Sequence, residues 1–321
     1  MHPHFLICGK RTGSTMLSRI LDSHSQVACP FEFAVPALLG RGHWKYKAAV
    51  RKADVIASHY GLSAKAVWEA PRFLPGRIAR PLIERRLNKF FRNICAAERK
   101  QRLVIKEPAH HEVVDKIAAM YGHESLLLLA RGPLATATSL AKTFEDRHPL
   151  KTWADAHRNI LRYAEQGVPL IRYEELVANP QPQVERACAA LSVEFEPEML
   201  AFGDHQHTDD KLTLWYRDSS DQELVGVSES KLHQTVAKGF IDAEHNSKRL
   251  QETPPEIVND FRNDQFGALS LAKELGYQEL SDKDLGDKDL GTDELAQVEE
   301  SSRGKSPGEV PSHSMLPAAA E

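Results

Sequence analysis

Apolar residues in this chain alternate between short unbroken runs and helical stripes. The first run, Phe5-Leu6-Ile7-Cys8 entered from His4, has the continuous apolar character of a strand buried on both faces of a parallel sheet. It breaks at Gly9. From Ser14 onward Met16, Leu17, Ile20 and Leu21 fall on one side of a helix. Leu103-Val104-Ile105 reads as a second buried strand, Ser125 to Ala130 as a third and Val168 to Ile171 as a fourth. Helical periodicity covers Arg80 to Arg99, Val113 to Met120, Thr136 to Phe144, Gln183 to Leu191 and Glu256 to Leu275. Cys29 to Pro75 is less regular, with aromatic residues and prolines. Strands alternating with helices predict an α/β fold with a central, mainly parallel sheet between helical layers.

Past Tyr277 the pattern dissolves. Asp-Lys-Asp-Leu-Gly recurs at Asp282 and Asp287, and Ser, Gly, Pro and Ala then dominate. Such a segment buries too little apolar surface to offset its ordering entropy. The expected organisation is therefore one domain over residues 1–280 and a disordered tail over 281–321, with room for a short helix from Thr292 to Glu299. The tail holds ten acidic and four basic side chains, so the formal charge of −4 leaves about +2 on the rest. A slightly basic body suits an anionic small molecule and is too weak for bulk nucleic-acid binding. The four cysteines form no CxxC pair, which points to a reduced compartment. No leader pattern or apolar stretch of bilayer length is present, so cytoplasmic residence is the expectation. Oligomeric state leaves no mark on the sequence.

The first chemistry-bearing stretch is Gly9-Lys10-Arg11-Thr12-Gly13-Ser14-Thr15, between the first strand and the first helix. Its glycines permit tight turning, and N–H groups at the helix start can surround a phosphate. Lys10 and Arg11 add charge; Thr12, Ser14 and Thr15 add hydroxyls. It is not a Walker A loop, because three residues separate the glycines and Ser14, not lysine, follows Gly13. Taken alone, the loop also fits a strand-to-helix turn that holds no ligand.

Phe5 to His24 resembles the 5′-phosphosulfate loop of sulfotransferases that use 3′-phosphoadenosine-5′-phosphosulfate (PAPS), whose usual form is PRSGST. The similarity is greatest to the bacterial carbohydrate and Nod-factor type and to tyrosylprotein sulfotransferases. Lys10 replaces the usual Pro and Thr12 the usual Ser. Leu126 to Ser139 resembles the family's 3′-phosphate element, with Arg131 at the end of an apolar strand and Ser139 eight residues on; Gly132 stands where Asp is usual. Leu170 to Pro180 and Phe195 to Leu200 resemble further family segments, read as scaffold, in which Tyr173 packs and Glu174 or Glu175 supports a helix N-terminus. The likeness covers about Phe5 to Leu200 and implies a P-loop-type three-layer fold.

The resemblance implies PAPS as co-substrate, no metal, and transfer of its sulfuryl group to a hydroxyl or amine acceptor with release of 3′,5′-ADP. It places Lys10, Arg11, Thr12, Gly13, Ser14, Thr15, Arg131 and Ser139 on the donor, and more faintly Lys238 and Gly239, with Ser228 as a late active-site serine. Glu32 matches the family's catalytic Glu and would take the acceptor proton, with His24 as the other candidate base. Lys106 matches the lysine of a K-(D/E/N/S)-P element and, with Arg11, would stabilise charge on the transferring group. Taken singly, Glu32 also fits a structural ion pair, Lys106 a surface lysine, Arg131 a surface arginine and Ser139 a packing residue. The fifteen histidines lack partners at metal-ligand spacing. The acceptor is open among small molecules, carbohydrates, lipids and a peptide tyrosine. The basic helix Arg80 to Arg99 reads as a solvated face or as the border of an anionic acceptor. A divergent P-loop kinase or nucleotide hydrolase and a non-catalytic P-loop-fold binding protein are the alternatives.

Overall fold

The computed structural model describes residues 2–30, 32–33, 35–39, 54, 57–58, 60–63, 76–205, 239–242 and 244–277, with only the backbone at 37, 38 and 76–79. The anticipated tail and its boundary at 280, Lys238, Ser228 and most of the acceptor-side loops lie outside the described residues. The described strands are β1 (Pro3–Cys8), β2 (Val27–Ala28), β3 (Arg102–Lys106), β4 (Leu126–Ala130) and β5 (Leu170–Arg172). They form one five-stranded sheet in the order β2-β3-β1-β4-β5, and every neighbouring pair is parallel. The α/β architecture anticipated from the alternating pattern is the architecture found.

Central position explains why β1 and β4 are apolar at nearly every residue. Successive side chains leave opposite faces of a strand, and both faces here are covered. Leu6, Cys8, Val104, Leu127, Leu129 and Ile171 join Leu17, Ile20 and Leu21 of α1 (Ser14–Asp22) in one buried cluster. On the other face, the Phe5 ring meets Phe91 of α3 (Gly76–Glu98), His110 and Tyr121 of α4 (Val114–Tyr121). The short helix α2 (Val35–Leu39) follows β2. After β4 come α5 (Pro133–Phe144) and α6 (Pro149–Ala164), which pack on each other. Beyond β5 the chain forms α7 (Tyr173–Ala178), α8 (Pro180–Ala190) and a 3₁₀ segment, Pro197–Asp204.

Two elements depart from the expectation. Helix α3 starts a turn before Arg80 and runs through Pro81, which lies inside the helix. Arg85, Lys89 and Arg92 on it are exposed, as a solvated face requires. The single helix expected from Glu256 to Leu275 is two, α10 (Pro255–Arg262) and α11 (Ala268–Glu274), preceded by α9 (His245–Gln251). Asp264, Phe266 and Gly267 between them have φ of 50°, 60° and 65°, and the Asp264 carboxylate accepts from the N–H groups of Leu269 and Ser270. Apolar spacing carries through this break, because Ile257, Phe261, Ala268 and Leu271 all face the core. Periodicity alone therefore could not reveal it.

Candidate functional site

Because β3, β1 and β4 are adjacent and parallel, their carboxyl ends open on one edge of the sheet, the usual location of ligand crevices in α/β folds. Lys106 closes β3, the glycine-containing loop follows β1, and Arg131 follows β4. Three motifs spread between Gly9 and Arg131 of the chain are thus brought together by strand order.

The loop is built around two left-handed residues. Arg11 has φ 63° and Gly13 φ 88°. A Cβ on Gly13 would collide with the Tyr173 ring, so only glycine fits there. Thr12, fully buried, donates from Oγ1 to the Gly9 carbonyl at 2.8 Å and braces the turn. Gly13 is the N-cap of α1, and no side chain caps that helix end. The first-turn N–H groups consequently face the loop's interior, where an anion would satisfy them.

Arg131 is 3 % exposed. Its Nη1 donates to the Arg11 carbonyl at 3.0 Å, and its guanidinium lies 4.2 Å over the Tyr173 ring. Arg11 in turn donates from Nε to Ser139 Oγ at 2.8 Å. Tyr173, anticipated as a packing residue, thus packs against both halves of the site. Backbone groups of Arg131 are pinned by α6: Trp153 Nε1 donates to its carbonyl at 2.8 Å, and its N–H donates to His157 Nε2 at 3.3 Å. Burial pushes His157 down to about 3, which keeps it neutral, and its Nδ1–H donates to the Trp153 carbonyl. At Gly132, where an Asp is usual, the Glu174 carboxylate accepts the backbone N–H at 2.9 Å. That is the helix-end support expected of Glu174 or Glu175, delivered to the start of α5.

Burial, then the charges of Arg131 and Arg249, bring Arg11 down to about 10. Burial likewise lowers Arg131, against the opposing influence of Tyr173 and Glu174. Both guanidinium groups remain charged near neutral pH. Among the described residues their hydrogen-bond partners are a hydroxyl, a carbonyl and an amide. Buried charge held by neutral partners is the setting in which a bound phosphate gains most.

On the β3 side, Lys106 is 2 % exposed. Its Nζ stands 3.3 Å from Thr15 Oγ1 and 3.3 Å from Glu32 Oε1. The ammonium therefore bridges the loop to the carboxylate that follows β2. Cys8, beneath the loop, is pushed up to about 12 by burial and stays a thiol.

Other anticipated residues stand apart. Lys10 is exposed, with Nζ 5.4 Å over the Phe144 ring. His24 is buried, and Nδ1 accepts the Gln26 N–H at 2.9 Å while Nε2–H donates to the Glu194 carbonyl at 2.7 Å. Both ring nitrogens are committed to the backbone, which leaves Glu32 as the carboxylate beside Lys106. Gly239 lies against Gly203, where a Cβ would come 2.6 Å from the neighbouring Cα. Asn246, Trp153 and His157 enter the site's framework without having been anticipated. The stripe Leu150, Trp153, Ala154, His157 and Ile160 is a sequence signal for α6; Asn246 gives none.

Among the described residues, no group of three or more His, Cys, Asp or Glu side chains could hold a metal ion. No helix there is long and apolar enough to cross a membrane.

A model of the sulfotransferase family matches residues 3–197, more than half of the chain. A nodulation protein, NoeE of Sinorhizobium fredii, is 25% identical over 238 residues, which are 64% of this chain and 53% of that protein. The chain thus spans about half the length of this relative. The sulfotransferase domain from the curacin biosynthetic pathway superposes with a TM-score of 0.60 at 21% identity, over 86% of this chain and 98% of that one. The sulfotransferase domain of the Synechococcus PCC 7002 olefin synthase gives 0.53 at 19% identity, over 87% and 95%. These two likenesses establish the shared fold, and the family match establishes descent: the chain belongs to the sulfotransferase family.

Proposed function

We propose that the protein transfers the sulfuryl group of PAPS to a hydroxyl or amine acceptor and releases 3′,5′-ADP. The observation that carries this reading is the contact of Arg131 with the Arg11 carbonyl, which sets the loop after β1 against the strand end of β4. In this reading the N–H groups at the start of α1, with Thr12, Ser14 and Thr15, hold the 5′-phosphosulfate. Arg131 and Ser139 hold the 3′-phosphate. The Ser139 hydroxyl already accepts from Arg11, so its own proton is left to donate to the phosphate.

The chemical step needs an in-line acceptor, stabilised charge and a destination for one proton. The acceptor oxygen or nitrogen forms a bond to sulfur as the bond from sulfur to the bridging phosphate oxygen breaks. Glu32 receives the acceptor proton. Lys106, already held between Thr15 and Glu32, donates to the leaving phosphate oxygen, and Arg11 shares the charge. The positive field comes from these side chains and backbone donors, and Lys10 swings in from Phe144 at most as an outer charge. The acceptor class proposed is a small molecule, carbohydrate or lipid headgroup.

The test is release of 3′,5′-ADP from PAPS in a chelating buffer, across a panel of hydroxyl and amine acceptors. Acceptor-dependent release without added metal supports the reading. Hydrolysis of ATP that requires magnesium, with no release from PAPS, contradicts it.

A further inference from the structure

Helix α3 turns Leu87, Phe90, Phe91 and Ile94 into the core. Its other side exposes Arg85, Lys89 and Arg92, and Arg99 follows just past the helix end. None of these four side chains has a hydrogen-bond or ion-pair partner among the described residues. The helix carries only two carboxylates, Glu84 and Glu98, and both are half-buried.

Arg85, Lys89 and Arg92 are spaced i, i+4 and i+7, so they stack in one line along the helix, where like charges repel. Exposed cations on other helices avoid this: Lys151 and Arg158 share Asp155, and Lys248 pairs with Glu244. The line on α3 is unfavourable to the helix itself and becomes favourable against an external array of negative charge. From Arg85 to Arg99 it runs about 20 Å, and the exposed residues between Arg92 and Arg99 are the small Asn93, Ala96 and Ala97. Both aromatic residues of the helix, Phe90 and Phe91, are buried, so it offers no ring on which a nucleic-acid base could stack. Its apolar face is equally committed to the core, which leaves charge as the means of contact.

We propose that the exposed line of α3 docks the protein on an anionic phospholipid surface, by contact with headgroups alone. Each cation brought to such a surface strengthens binding about fivefold, and salt reverses the association. The inference stands independently of the donor reading above.

The test is co-sedimentation of the whole chain with vesicles of phosphatidylcholine, alone or with about one-third phosphatidylserine. Binding is expected to the mixed vesicles only, and is expected to fall about tenfold or more between about 0.05 M and 0.5 M salt. Lys89→Glu removes one positive charge and adds one negative, and should weaken binding about tenfold or more. Arg85→Glu, Lys89→Glu and Arg92→Glu together should abolish it. Arg147→Glu, Lys151→Glu and Lys248→Glu together change the net charge equally elsewhere, and should stay within about threefold of wild type. Melting temperatures establish that each variant is folded; Lys89→Glu should melt no lower than wild type, since its carboxylate stands a turn from both Arg85 and Arg92. The inference fails if wild type ignores phosphatidylserine, if Lys89→Glu binds as wild type does, or if the two triple variants lose binding alike. Tighter binding to a single-stranded oligothymidylate than to the mixed vesicles, lost in Lys89→Glu, would assign the line to nucleic acid and overturn it as well.

Discussion

Arg131 and Arg11, 120 positions apart in the chain, meet where the guanidinium of one donates to the backbone carbonyl of the other at 3.0 Å. The contact exists because β1 and β4 are parallel neighbours, with Cys8 opposite Leu129, so the residues that follow each strand leave the sheet side by side. It also fixes Arg11 in its left-handed conformation by using the carbonyl which that conformation presents. Two motifs that are separate in sequence are therefore one site in space.

Gly13 tests the packing beneath that site. Gly13→Ala puts a Cβ into the Tyr173 ring at φ 88°, so the loop or the ring must shift. We expect a stability loss of about 1–3 kcal/mol, read as a lower melting temperature, together with loss of 3′,5′-ADP binding. Unchanged melting and binding would show that the loop does not depend on close contact with Tyr173.

Glu32 and Lys106 separate chemistry from binding. Glu32→Gln keeps the shape and loses the base, so turnover should fall by about 100-fold or more while binding of 3′,5′-ADP is retained. Lys106→Met should also lower kcat, since its ammonium is assigned to the leaving oxygen. Single-turnover rates with saturating PAPS give the comparison. A Glu32→Gln enzyme of normal rate would assign the base elsewhere.

Acid should destabilise the fold through histidines that the chemistry does not use. His4 and His110 are pushed down to about 4 and His157 to about 3, in each case chiefly by burial. An unfolded histidine titrates near 6.5, so the unfolded chain takes up these protons first as pH falls. The stability they confer is complete above about pH 6.5 and drains away between there and the folded values. The cost at pH 5 is on the order of 1–2 kcal/mol per histidine. Urea midpoints at pH 7.5, 6 and 5 would show the decline. His157→Gln should flatten its slope, provided that the variant still folds at pH 7.5; an unchanged slope would remove His157 from the effect.

How much of this was readable from the residues depended on whether a signal was local. Buried strands announce themselves because every residue of Leu126 to Ala130 is apolar, and the loop announces itself through two glycines and its hydroxyls. Arg131 and Ser139 were legible through the resemblance of their strand–helix unit to the family's element, which a single local stretch of sequence carries. Glu32 was suggested by the family resemblance, and the structure sets it 3.3 Å from Lys106. Asn246 was silent: a single amide in the polar segment His245–Gln251 differs from its neighbours only in what it touches. The break at Asp264 was hidden for the reverse reason, since apolar spacing continues through it. His24 looked available as a base because a sequence shows a ring and not the two backbone groups that occupy it.

The central claim is that the loop after β1 and Arg131 after β4 grip one bisphosphorylated adenosine. Calorimetric titration of 3′,5′-ADP in chelating buffer, beside ATP with magnesium, tests it on wild type and Arg131→Ala. The account predicts metal-free binding of 3′,5′-ADP in preference to ATP, weakened in the variant by about 2 kcal/mol or more. Equal affinity of wild type and Arg131→Ala for 3′,5′-ADP would contradict it.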